Sequence, residues 1–444
     1  MADRFWVGGG SSASWVATGP TNWSATSGGS NDASLPTSAD PAIFDANSGT
    51  GNITLAAGWA CGGLSISSLS GAMAFVSSGA GTISGGIQLP ATNFSWGATG
   101  GITLAGSTGG NINTNGVTIN GAITVAGAGG TWTLQSALTL ATSRNITVTD
   151  GTLVTAGYAV TCQLFTGTGT STRGITLGAS VITVGGSGNA WNLANVTNLS
   201  FSGASAQIIC SRSTGAQSFQ GGGLSYGRLT KDGGSTLTIV GSNTFGTLDN
   251  VSGSGPIVFT AGTTQTITTW GLAGTSGTLL SLSSSGTWTI YKASGTVVAD
   301  YVSLTNSFAD TSGGTTYSAT NSTDNGGNTN WSFGAATKQI AGTGGGSATG
   351  SGSITVIQQV AGTGSGAAGP GTGAITGGAG GPATKQIAGS GGGSAPDGAV
   401  VITLRRPIGG TGGGTSGGSG DITGGVVGVT EGGYFNLTRR RRRA

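Results

Sequence analysis

The stretch Ser235-Thr-Leu-Thr-Ile-Val-Gly-Ser-Asn-Thr-Phe-Gly-Thr-Leu-Asp249 sets the reading of the whole chain. Apolar and hydroxyl side chains alternate at period two, a Gly-Ser-Asn corner interrupts them, and the alternation resumes. Period-two alternation marks a strand with one buried face. Strands this short cannot bury that face alone, so a long series of them predicts a repeat that stacks on itself. The pattern continues outward in both directions, from Asn52-Ile-Thr-Leu through Gly101-Ile-Thr-Leu, Ala122-Ile-Thr-Val, Asn145-Ile-Thr-Val and Val181-Ile-Thr-Val to Thr287-Trp-Thr-Ile-Tyr. No 3.6-residue pattern survives the glycines, and glycine is the poorest helix former after proline. Asn-Gly and Asp-Gly hairpin pairs do not recur at regular intervals, which favours parallel coils over hairpins. The expected fold is therefore all-β: a right-handed parallel β-helix, or β-solenoid, with an N-terminal cap and Gly-rich C-terminal repeats. At roughly 20 to 25 residues per coil and ~4.8 Å per layer, the body would hold about 12 coils and extend about 60 Å. Gly and Asn are expected at the tight corners, where φ is positive.

Composition agrees with an ordered but chemically quiet chain. Of 444 residues, 93 are Gly and only 7% are charged, while 36% are hydrophobic. Disordered chains combine low hydrophobicity with high charge, and this chain does not. The net charge of +3 includes Arg439, Arg440, Arg441, Arg442 and Arg443, so the remainder carries −2. The body has no basic cluster of the kind a nucleic-acid-binding face needs, which argues against that partner. Cys61, Cys162 and Cys210 lie far apart without metal-ligand spacing and read as buried thiols. The N-terminus, Met1-Ala-Asp-Arg-Phe-Trp, lacks the pattern of a secretory signal, and no apolar run approaches the ~20 residues of a membrane span.

Four segments follow. Residues 1–51 are rich in large side chains, with Trp6, Trp15 and Trp23 foremost. They are expected to cap the open cross-section and strand edges of the first coil, or to dock the chain on a partner. Residues 52–335 are the solenoid. Residues 336–432 carry a shorter Gly-rich repeat in which Ala336-Thr-Lys-Gln-Ile-Ala-Gly returns unchanged from Ala383. This region reads either as a linker or as strands that order beside partner chains. Residues 433–444 are a basic tail whose arginines are a candidate for docking on an acidic surface, with a merely solvated end as the plainer reading.

Catalytic chemistry finds little support. The chain has no His, which removes His-based catalysis and His-ligated metals, so no catalytic residue, metal site or cofactor is assigned. Paired carboxylates of the kind that cleave polysaccharides would have to come from Asp232 with Asp249 or Asp300 with Asp310, all at turn-like positions. Trp191, Trp270, Trp288 and Tyr291 are candidates for stacking on sugars, but within strand phrases aromatic residues are more often core.

The phrases Ser213-Thr-Gly-Ala-Gln-Ser-Phe-Gln, Leu237-Thr-Ile-Val-Gly-Ser-Asn-Thr-Phe, Phe259-Thr-Ala-Gly-Thr-Thr-Gln-Thr-Ile-Thr and Lys292-Ala-Ser-Gly-Thr-Val-Val-Ala-Asp-Tyr-Val resemble the repeats of β-solenoid proteins in phage tail fibres and related virion appendages. The Trp, Asn22-Trp and Pro36-Thr…Asp40 pattern of the first segment is similar to the opening of autotransporter-like adhesin repeats. The resemblance implies a non-catalytic fibre or appendage subunit, assembled in the host cytoplasm and located in the virion. Its partners would be other virion proteins and a host surface glycan or protein, with homo-oligomers, including trimers, common. A bacterial surface adhesin and a polysaccharide depolymerase spike are the alternatives.

Overall fold

The structure is a computed structural model describing residues 2–334 and, beyond them, the backbone of four short strands: Ser353–Val356, Gly378–Ala379, Lys385–Gln386 and Val401–Leu404. The described residues are all-β, and stacked parallel strands form a β-solenoid of about 13 turns. At ~4.8 Å per layer this is about 60 Å of stacked coil.

Three columns of parallel strands make three faces. On the first, Trp59–Cys61 pairs with Gly81–Ile83, and Gly81–Ile83 with Ile102–Leu104. The column runs on through Leu237–Val240 to Val302–Leu304. On the second, Pro41–Phe44 pairs with Gly63–Ile66, followed by Ile87–Gln88 and Gly109–Asn113. On the third, Gly51–Thr54, Met73–Val76 and Phe94–Trp96 stack in turn. Ile146 opposes Phe165 and Gly188 opposes Gln217, so coil lengths run from 19 to 29 residues.

Burial follows the alternation seen in the sequence. In Leu237-Thr-Ile-Val, Leu237 and Ile239 are buried, while Thr238 and Val240 are half-exposed. Inward side chains then stack from coil to coil, with Ile102, Ile123, Ile146 and Phe165 in one register. Each such column removes apolar surface that a single coil would leave open, at roughly 25 cal/mol per Å². Corners take positive φ as expected: Gly241 stands at φ 76, and Asn93, Asn115, Asn198, Asn306, Asn321 and Asn330 lie between 48 and 63. In the opening stretch, Asn243 is buried at the corner and donates to the carbonyls of Val240 (3.2 Å) and Gly241 (3.0 Å). It also donates to Oε1 of Gln265 one coil on (3.3 Å), so the corner is pinned both within its own coil and to the next.

Stacking begins earlier than residue 52. Pro41 is already in register with Gly63, and Arg4–Trp6 adds parallel to Pro41–Phe44 while pairing antiparallel with Trp23–Ser24. The first segment is therefore continuous with the solenoid, and one compact unit spans Met1–Ser332. The second unit is Phe333–Ala444. Within it, Ser353–Val356 pairs parallel with Val401–Leu404, and Gly378–Ala379 pairs antiparallel with Lys385–Gln386.

Candidate interaction surfaces

The three N-terminal tryptophans do not form a docking surface. Trp6, Trp15 and Trp23 are 4%, 1% and 0% exposed, which corrects the docking expectation for them. Trp23 lies edge-on to Trp6 and Trp15, with centroids 5.3 and 4.8 Å away, and edge-on to Phe44 at 5.6 Å. Trp15 continues the cluster to Trp59 (5.2 Å) and Phe75 (6.0 Å) in the coils below. The Trp23 indole donates to the Trp15 carbonyl at 3.0 Å, fixing one ring against the other. The apolar cross-section of the first coils needed covering, and these rings cover it. Arg439 to Arg443 lie outside the described residues.

Asp40 ties the start of the chain to this cap. It accepts from the Thr37 hydroxyl (2.6 Å) and the Ala2 amide (2.9 Å), and these bonds hold its carboxyl down at about 2. The other candidate carboxylates are also occupied. Asp249 accepts from Arg228 (2.7 Å) and from the Thr230 hydroxyl (2.7 Å), the one ion pair among the described residues being Arg228–Asp249. Asp232 accepts from Gly233, Asp300 from Thr320 and Asn321, and Asp310 from Ser312. These are the bonds of turns and of cross-coil ladders.

Of the four aromatic residues considered for sugar stacking, Trp191 and Trp288 are fully buried. Trp191 stacks on Phe165 at 4.7 Å and donates to the Tyr226 hydroxyl at 3.1 Å, while Trp288 stacks on Phe259 at 3.8 Å. Burial pushes the Tyr226 hydroxyl well above its ordinary range. Trp270 and Tyr291 are half-buried, and the Trp270 indole is committed to the Leu272 carbonyl (2.9 Å). The cysteines are free and buried, and burial raises all three thiols, Cys162 and Cys210 to about 12. Among the described residues no group of three or more His, Cys, Asp or Glu is placed to hold a metal, and no helix is long and apolar enough to cross a membrane.

Two buried cations were not foreseen. Arg173 is 1% exposed and has no carboxylate partner among the described residues. Its guanidinium instead donates to the carbonyls of Gly167 (2.9 Å), Ser171 (3.2 Å), Thr197 (2.7 Å) and Asn195. Lys231, 0% exposed, donates to the carbonyls of Asp232 and Gly233, each at 2.7 Å. Desolvation lowers the pKa of both groups, and the carbonyls supply the hydrogen bonds that make burial tolerable. The only sequence signal for either was a cation inside a strand phrase flanked by turn residues.

An open trough of about 290 Å³ lies on the second face, lined by Pro41, Gly63, Ser65, Gly86, Gln88 and Asn111. It is shallow and uncharged. No family model matches the chain, and neither a curated protein nor a solved structure is significantly similar to it.

Proposed function

We propose that this protein is a structural subunit of a bacteriophage appendage, a non-catalytic rod that spaces or presents other parts of the particle. The observation that carries the reading is a stiff stack of about 13 coils whose candidate carboxylates and most of whose aromatic rings are committed to internal bonds and packing. The resemblance of the Lys292-Ala-Ser-Gly-Thr-Val-Val-Ala-Asp-Tyr-Val and Phe259-Thr-Ala-Gly phrases to virion-appendage repeats supplies the virion setting. A solenoid suits that work because each coil contacts only its neighbours, so length grows without enlarging a core. Its partners would be other virion proteins and a host surface glycan or protein. Negative-stain images of phage particles decorated with an antibody to this chain test the reading. Label at a fixed place on the particles is expected, and particles that never carry label would overturn it. Shortening of purified capsule or lipopolysaccharide by the pure protein would replace it with a depolymerase.

A further inference from the structure

The C-terminal unit contains a duplication longer than its identical heptad. Residues 336–357, Ala-Thr-Lys-Gln-Ile-Ala-Gly-Thr-Gly-Gly-Gly-Ser-Ala through Ser-Ile-Thr-Val-Ile, align without gaps on residues 383–404, Ala-Thr-Lys-Gln-Ile-Ala-Gly-Ser-Gly-Gly-Gly-Ser-Ala through Val-Val-Ile-Thr-Leu. The apolar ends of the two copies are Ser353–Val356 and Val401–Leu404, and these two strands pair with each other in parallel. The register sets Ile354 beside Ile402, Thr355 beside Thr403 and Val356 beside Leu404. That is one residue away from the alignment of the repeats, which would place Val356 beside Thr403. Pairing has followed the apolar alternation, as expected where a one-residue slip exchanges the faces of a strand.

Two strands make an incomplete sheet. A two-stranded sheet is marginal in water, and three or more strands are needed for independent stability. Each strand also has two hydrogen-bonding edges, and among the described residues only one edge of each is used. A free edge is a template for another strand. The strand that fits the outer edge of Val401–Leu404 is one with the sequence of Ser353–Val356, because that pairing already occurs on its inner edge. Among the described residues of one chain that strand is already paired, so a further copy of it comes from another chain.

We propose that the C-terminal repeats join copies of this chain head to tail, Val401–Leu404 of one copy receiving Ser353–Val356 of a second in parallel. Within one chain this parallel pair is bridged by residues 357–400, because parallel strands need a long crossover; pairing between copies requires none. The contact is heterologous, so it closes into a ring if its rotation allows and otherwise extends. A parallel arrangement also sets the joined strands in one direction. The inference concerns the second unit alone and does not depend on the virion reading.

The test uses two full-length variants with different tags, Ser353→Cys and Val401→Cys, co-expressed, mildly oxidised and run on a non-reducing gel. A disulfide between these two variants can form only between copies. The native thiols are buried and their pKa values are raised, so they stay silent. We expect a two-tag, dimer-sized band several-fold stronger than either variant yields alone. A double variant Ser353→Cys/Val401→Cys that links only within one chain, with no two-tag band from the co-expressed pair, overturns the proposal. So does the absence of any link in either experiment.

Discussion

Trp23→Ala is the perturbation that most directly separates a cap from a docking surface. The indole is fully buried among Trp6, Trp15 and Phe44, and its N–H is bonded to the Trp15 carbonyl. Truncating a buried Trp to Ala costs about 3 to 5 kcal/mol, and orphaning the carbonyl adds about 1 kcal/mol. In a stack held by nearest-neighbour contacts, that loss falls first on the adjoining coils. Amide protection in Arg4–Trp6 and Pro41–Phe44 should therefore drop by roughly a thousandfold, the equivalent of about 4 kcal/mol. Protection in Leu280–Ser283, many coils away, should not change. Native-state hydrogen exchange followed by peptide mass reads both at once. Less than a tenfold change at the N-terminal strands, or an equal loss along the whole rod, would refute the cap and the nearest-neighbour reasoning respectively.

Arg173→Met should destabilise by roughly 3 kcal/mol in urea unfolding, since several buried carbonyls lose their donor together, and Arg173→Lys should recover little because one ammonium cannot reproduce the guanidinium fork. Asp40 has a folded pKa below its ordinary 3.8, so its contribution is full above that value and lost as pH falls through about 2. The urea-midpoint gap between wild type and Asp40→Asn should accordingly stay constant from neutral pH to about 5 and close below 4. Gly81→Val should fail to fold or lose several kcal/mol, because a Cβ there would meet the Trp59 ring at 2.1 Å; thermal melts with Gly101→Ala as the uncrowded comparison, where a Cβ meets nothing nearer than the Ala122 carbonyl at 3.9 Å, check this.

The alternation in Leu237-Thr-Ile-Val was enough to read the fold, because in a stacked coil the same period-two rule governs each strand and burial simply follows it. The count of about 12 coils came close to the observed 13 for the same reason. What the sequence hid were features fixed by three-dimensional closure. Ser225–Lys231 is a strand although it carries Arg228 and Lys231, and Lys231 is buried by carbonyls from its own following turn. The start at Pro41 was missed because Pro41-Ala-Ile-Phe is short and follows a loop, and its strand character comes from Gly63–Ile66 beneath it. The tryptophans were legible as a cluster, but whether their faces point in or out depends on the coil they cover. Trp191 and Trp288 were rightly favoured as core.

Threonine columns complete the physical account of the rod's exterior. Thr82, Thr103, Thr124, Thr147 and Thr166 stand in register on the first face, one per coil. Facing Thr pairs stabilise neighbouring strands by a few tenths of a kcal/mol each, so the column is explained by the sheet itself without a ligand. The two ends of the stack are finished differently. At the N-terminal end, rings bury the open coil. In the last coil, amide side chains reach back instead, Asn328 to the Leu304 carbonyl (2.8 Å) and Asn330 to the Ala309 carbonyl (3.0 Å), while the Trp331 indole binds the Ser307 hydroxyl (3.0 Å). Amide clamps satisfy carbonyls of the preceding coil without adding a thick apolar plug. Extending the stack at its N-terminal end would require displacing the cluster of Trp6, Trp15, Trp23 and Phe44, whereas at the other end the rings at stake are Trp331 and its neighbours Tyr317 (5.4 Å) and Trp270 (6.2 Å), so the first end carries the greater share of apolar closure.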